Sequence, residues 1–229
     1  MIRKLGFVLM ALGLGLTAWV AVTLVWGEPF TSLYTRHEQQ ALSRRLDAVQ
    51  RRWSAKRPTS VPASRAIAAE RLAAAMDARA RRFRQTLRDG QPIGRIIVPR
   101  LGLNMVVVEG TSEADLEKGP GHYDAASGVN TSLPGMGGVV AIAGHRTTYL
   151  HPFRHIDELR PGDDIFLRMP YGILAYRVYM HRIVGSSDWS ILHRPRFEKL
   201  VLSACHPLYS ATHRFVVFAR LHSERNVPD

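Results

Sequence analysis

A single cysteine in 229 residues, Cys205, excludes an internal disulfide. Acidic residues are also scarce, 19 against 31 lysines and arginines, which leaves a formal net charge of +12. Such a surplus could draw nucleic acid through its phosphates, but its distribution argues against that partner. Thirteen arginines fall between Arg36 and Arg88, and the later chain has no basic stripe interleaved with aromatics. The basic segment reads as solvated helix faces or as a surface for anionic envelope polymers or lipid headgroups. There is no internal repeat.

What the chain does have begins at Leu5. The run LGFVLMALGLGLTAWVAVTLVW, Leu5 to Trp26, is uncharged throughout and long enough to cross a hydrocarbon core of roughly 30 Å as a helix. Arg3 and Lys4 precede it and Glu28 follows, which predicts a cytoplasmic N-terminus and an extracytoplasmic remainder. A cleaved signal peptide is the alternative. Its apolar region is usually about 7–15 residues long and ends on small residues, whereas this one ends in Val25-Trp26. The expectation is a single-pass protein of the cell membrane. In the outer compartment disulfides are permitted, so a lone thiol is either a small buried apolar residue or one kept for its reactivity.

Residues 1–26 thus read as a cytoplasmic stub and anchor, and residues 27–91 as a basic helical stalk or linker. Within the latter, a run from Thr31 to about Trp53 carries Leu33, Leu42, Leu46 and Val49 in loose helical register, and Pro58 and Pro62 break it. A second helical run carries Ile67, Leu72, Met76, Phe83 and Leu87, and Asp89-Gly90 ends it. Few large apolar residues are available there for packing. From Pro92 the texture changes to short β-branched or aromatic runs: Arg95–Pro99, Met105–Gly110, Gly138–Gly144, Asp164–Met169, Ile173–Val184, Lys199–Cys205 and Phe215–Leu221, separated by Pro and Gly. Residues 92–229 therefore read as one all-β unit, a sandwich or barrel. One short helix interrupts it, with Phe153, Ile156 and Leu159 at three-residue intervals between Pro152 and Pro161-Gly162.

Cys205 stands at the end of an apolar run. A cysteine attacks carbonyls as the thiolate, so a working nucleophile needs a cation or an imidazole nearby. Arg214, nine positions on, opens the next run and returns beside Cys205 if the chain between them folds back; its guanidinium could hold an oxyanion but cannot act as a base. Among ten histidines, His145 is the best general acid/base candidate because it follows the apolar run GVVAIAG. His206 adjoins Cys205 and points to the opposite face of an extended chain. His151 and His155, four apart, lack a neighbouring cysteine or carboxylate at a zinc-binding spacing, so no metal is expected.

Three segments, AIAGHRTTY at 141–149, LSACHP at 202–207 and Arg214 opening RFVVFA, resemble the histidine, cysteine and arginine signatures of the sortases, and most nearly those of class E. The resemblance runs from about Gly94 to Leu221 and includes GRIIVPRLGLNMVVVEGT, GPGHY, HPF at 151–153 and LRPGDDI in order. It implies a closed eight-stranded β-barrel and, without a cofactor, cysteine transpeptidation. Cys205 would attack the Thr–Gly bond of an LPxTG or LAxTG sorting signal on a surface protein. His145 would shuttle the proton to the leaving amine and from an incoming amine of a peptidoglycan precursor or pilin. Arg214 would hold the substrate backbone and the oxyanion. The resemblance also places His122 and Tyr123 of GPGHY, and Trp189 of the connection Gly185–Phe197, in the substrate groove.

The chain departs from the family at Ala204, where a threonine usually precedes the cysteine. A missing hydroxyl there would remove a substrate contact. That departure supports the rival reading, a membrane-anchored sortase-like module that holds a peptide with little or no turnover. The L,D-transpeptidases, which keep histidine and cysteine in one compact motif, fit less well, since His145 and Cys205 lie 60 positions apart.

Overall fold

All seven apolar runs form strands in the computed structural model, which describes residues 2–26, 29–54, 65–124, 129, 131–193 and 195–225. They are β1 (Pro92–Val98), β2 (Leu103–Glu109), β4 (Val139–Ala143), β5 (Asp164–Met169), β6 (Gly172–Gly185), β7 (Lys199–His206) and β8 (His213–Arg225). An eighth, β3 (Gly121–His122), has only two residues and no periodicity to betray it. Together they close a barrel in the order β1-β2-β3-β4-β7-β8-β6-β5. Neighbours are antiparallel except β2 with β3 and β4 with β7.

Alternation along the strands sorts side chains into two apolar layers. Val140, Ile142, Leu200, Leu202, Val217 and their equivalents fill the barrel interior. Val139, Ala141, Val201, Val216 and Phe218 face outward and meet Val184 and Ile191, so the connection after β6 roofs this side. Lys199 pins that roof: its Nζ donates to the carbonyls of Ile191 (2.9 Å) and His193 (2.6 Å). The short helix expected near Phe153 is a 3-10 turn at Ile156–Glu158. Its three-residue repeat suits that winding, and Phe153, Ile156 and Leu159 are all fully buried.

Three longer helices precede the barrel: α1 (Ile2–Trp26), α2 (Pro29–Ser54) and α3 (Arg65–Arg84). In α1, residues Lys4–Val22 have a mean hydropathy of 2.2 and none of that stretch is buried, so the helix is long and apolar enough to cross a membrane. The break expected around Pro58 and Pro62 lies outside the described residues, as does the side chain of Ile67.

The segment read as a stalk is helical, but it lies against the barrel. Leu42 and Leu46 of α2 pack on Val106 and Val108 of β2. Because β3 covers only the end of β2, the β2 edge is otherwise unpaired there, a costly state for buried backbone. Gln39 stands in for the missing strand: its amide donates to Val106 O (3.0 Å) and accepts from Val106 N–H (2.7 Å). In α3, Met76, Ala80 and Phe83 enter the main core. Met76 occupies space that only glycine leaves open, since a β-carbon on Gly172 would lie 2.3 Å from its methyl group. The few large apolar residues of this segment are thus spent on docking.

Candidate active site

β4 and β7 are parallel and in register from Val139↔Lys199 to Ala143↔Ser203, so both strands finish at the same rim. Gly144 N–H donates to Ser203 O at 3.1 Å, which carries the ladder one residue beyond β4. His145 and Cys205 therefore leave neighbouring strands together. On the other side of β7, Cys205 pairs with Arg214 of β8, and Arg214 pairs with Val184 of β6. The chain from Pro207 to Thr212 does fold back, and alternation puts Cys205 and Arg214 on the outward face with Val201, Ser203 and Val216.

The His145 loop is held from below. Phe153 N–H donates to His145 O at 3.0 Å, and the Phe153 ring packs so closely that a β-carbon on Gly144 would lie 2.7 Å from it. The backbone then runs through three left-handed non-glycine residues, Tyr149, Leu150 and His151, with φ of 51°, 61° and 36°, a conformation that costs free energy and needs support from its surroundings. Tyr149 sets its ring 5.2 Å from that of His145 and donates its hydroxyl to Glu117 at 2.7 Å.

Burial lowers the pKa of His145, and the Glu113 and Glu117 carboxylates oppose the shift. Its Nε2 is buried without a hydrogen-bond partner. Buried polar atoms are rarely left so, and an exception calls for an explanation. Among the described residues one other buried side-chain atom is in that state, Asp77 Oδ1, whose sister oxygen pairs with Arg81. A neutral imidazole with a free nitrogen at the rim of the sole thiol can take and return a proton.

Cys205 is half-buried. Arg214 stands in register with it, but its Nη1 donates to Ala211 O (2.9 Å) and His213 O (3.1 Å). The guanidinium therefore leans onto its own loop through Nη1, which leaves the donors on Nε and Nη2 for other partners. Tyr123 lies on the same outward face: its hydroxyl is 3.2 Å from Ser203 Oγ, two residues before the thiol, and its ring meets Trp189 edge-on at 6.3 Å. Trp189 is 52% exposed. These two aromatics and Ser203 form a wall that leads along β7 to Cys205.

Two expected groove residues lie elsewhere. His122 is 2% exposed, its Nδ1 is 2.9 Å from Glu109 Oε2 and its Nε2 is 3.1 Å from Ser132 O. It precedes Tyr123 on a strand and so faces inward, where it holds the β3 connection rather than a substrate. Ala204, 3% exposed, belongs to the interior core and pairs with Phe215. Alternation turns its methyl away from the face that carries Cys205, so it packs and makes no groove contact. His206 also points away from the thiol's face, toward Arg146 and Phe215. His155 pairs with Glu158, and among the described residues no group of three potential ligands is assembled for a metal.

Comparison with known proteins gives the same fold. A sortase-domain family model matches residues 96–222, more than half of the chain. The chain belongs to the sortase family. Among curated relatives, sortase D of Bacillus subtilis (strain 168) is 33% identical over 135 residues, covering 57% of this chain and 64% of the relative. Sortase SrtE1 of Streptomyces coelicolor is 28% identical over 148 residues, covering 59% of this chain and 42% of the relative. The match thus spans less than two thirds of either. Of solved structures, sortase E1 of Streptomyces coelicolor, with a tripeptide in its active site, superposes with a TM-score of 0.56 at 28% identity, over 61% of this chain and 96% of that one. Sortases are cysteine transpeptidases, and relatives named D and E are both represented.

One residue of this sortase's rim escaped the sequence. Arg146, 3% exposed, donates to Cys205 O (3.4 Å), Arg154 O (3.3 and 3.2 Å) and Asp157 (2.8 Å), and lies 3.2 Å from His206 Nδ1. It ties the backbone under the thiol to the loop that carries His145. Its only signal was adjacency to His145, which does not distinguish a buried guanidinium from a solvated one.

Proposed function

We propose that this sortase is a membrane-anchored transpeptidase of class E type. Residues 1–26 form its anchor, residues 27–91 a helical segment and residues 92–229 an extracytoplasmic catalytic barrel. It cleaves the Thr–Gly bond of an LPxTG- or LAxTG-type signal at the C-terminus of a surface protein. The Cys205 thiol gives its proton to His145 Nε2 as sulfur adds to the threonine carbonyl. The C–N bond then breaks, His145 protonates the departing glycine amine, and a thioester remains. An amine of a peptidoglycan precursor or pilin adds to the thioester, His145 takes its proton, and the new amide forms as the thiol is regenerated. Arg214 turns from its own loop to the oxyanion in both halves. Tyr123 and Trp189 hold the signal upstream of the scissile bond. The observation that carries this reading is the unpartnered, desolvated His145 Nε2 at the rim where the only thiol ends β7. The tripeptide in the Streptomyces coelicolor enzyme supports a peptide site at that rim.

The engagement of Arg214 with Ala211 and His213 favours a second reading, a module that binds the signal without turnover. Incubation with peptides bearing LPxTG or LAxTG separates the two. A transpeptidase gives a covalent adduct on Cys205 by mass spectrometry, releases the glycine-side fragment and passes the adduct to added amine. Binding without fragment release, across a panel of signals and amines, leaves the module.

A further inference from the structure

A guanidinium carries five N–H donors in a fixed plane, and that of Arg146 is buried at the rim, so each donor needs an acceptor supplied by the protein. Five contacts meet them. Nε and Nη2 reach Arg154 O at 3.3 and 3.2 Å, Nη2 reaches Asp157 Oδ1 at 2.8 Å, and Nη1 reaches Cys205 O at 3.4 Å and His206 Nδ1 at 3.2 Å. The donor set is thus filled, and His206 gives the one acceptor in it whose state depends on a tautomer.

Arginine keeps its charge in proteins and has no acceptor atom, so in that contact Nη1 donates and Nδ1 accepts. The His206 ring is then neutral, with its proton on Nε2. Phe215 of β8 packs against the ring at a centroid distance of 5.9 Å, and His213 is the register partner of His206 on the same strand. A ring with its proton on Nδ1, or a side chain with no acceptor at that point, would leave a charged N–H unpaired in a buried place, which is costly. The guanidinium would have to shift, and it is bonded to the carbonyl of Cys205 while its own backbone continues that of His145. We infer that His206 is a positioning residue, whose Nδ1 completes the clamp by which Arg146 holds the backbone of Cys205 against the loop of His145. It touches no reacting atom and transfers no proton. The inference deepens the transpeptidase reading and rests on it for the effect on turnover.

The test uses the full chain in neutral detergent and three replacements at one position. The amide oxygen of asparagine stands where Nδ1 does, that of glutamine stands nearer Nε2, and leucine offers no acceptor. With LPxTG or LAxTG peptides and an amine, His206→Leu is expected to lower kcat about tenfold with KM within about twofold. His206→Asn recovers the rate to within about threefold of native, and His206→Gln does not. Alkylation of Cys205 by iodoacetamide, which needs no sorting signal, follows the same order. Nitrogen NMR of histidine-labelled protein near neutral pH shows His206 Nδ1 unprotonated, and Arg146→Met moves its resonance. Native kinetics in His206→Leu, or glutamine serving as well as asparagine, would overturn the positioning role. A proton on Nδ1, or a resonance that Arg146→Met leaves in place, would overturn the bond beneath it. If no signal is processed by the native chain, the transpeptidase reading fails, and the alkylation order with the NMR result decides the inference alone.

Discussion

Just before β7 stands Glu198, 7% exposed, whose carboxylate accepts from Tyr176 OH (2.5 Å), Gly135 N–H (3.0 and 3.1 Å) and Gly137 N–H (2.7 Å). Near the other end of the strand stands Cys205, at the same rim as His145, whose buried Nε2 has no partner. The same eight-residue strand thus joins a saturated polar site to an unsaturated one. Burial raises the Glu198 pKa, with its hydrogen bonds opposing, and lowers that of His145. The physical cause is the same, since desolvation penalises whichever form is charged. What differs is the supply of partners: at the base they come from the protein, and at the rim His145 Nε2 has none.

Substitutions at the two ends break that comparison in different observables. Cys205→Ala is expected to have the largest effect, reducing adduct formation and fragment release to background with the thermal midpoint unchanged within about 2 °C. A comparable fall in the midpoint would make the thiol structural. Arg214→Ala follows, with turnover down roughly 100-fold or more if it donates to the oxyanion, on the order of 3 kcal/mol of barrier. Unchanged turnover would remove it from the mechanism. Glu198→Ala should act through stability, costing about 3 kcal/mol in denaturant melts because a buried hydroxyl and two N–H groups lose their acceptor. A neutral result would mean water takes its place.

Arg146→Met should lower turnover about tenfold with a smaller loss of stability, and Arg146→Lys should recover part of the rate if the guanidinium acts by positioning. The smallest effects lie in pH dependence, and their signs oppose. His145 has a lowered folded pKa, so its contribution to stability is present above its ordinary 6.5 and lost as pH falls through the folded value. Glu198 has a raised folded pKa, so its contribution is lost as pH rises from its ordinary 4.5 through the folded value. Stability curves of His145→Gln and Glu198→Gln, each subtracted from that of the native chain, should slope in opposite directions. Parallel differences would refute one of the two shifts.

Much of the barrel was legible because its strands announce themselves by β-branched runs between turn residues; Asp164–Met169 was bounded to the residue. The placement of His145, Cys205 and Arg214 followed from their positions at strand ends, which the barrel's register then brings to one rim. The misreadings share a cause, which is that motif adjacency does not say which way a side chain faces. His122 and Tyr123 are neighbours in GPGHY, yet one is sealed inside and the other lines the outer face. Ala204 and Cys205 divide in the same way. Arg146 and the docking of α3 were hidden for another reason: a charged residue, or a helix with few large apolar residues, looks solvated until its partners, distant in sequence, are known.

The seating of α2 on β2 also sets a working distance. Gln39 replaces a strand partner of Val106, and Thr35 donates to Glu117 O at 2.8 Å, so α2 is fastened to the barrel within two turns of its start. From Trp26 to Pro29 is three residue steps, at most about 11 Å of chain. For a chain anchored through α1, Cys205 then sits on a short bracket and not on a long leash. Its reach from the bilayer is then limited by the length of a docked helix, and a polypeptide joined by the proposed reaction would meet Cys205 within that reach.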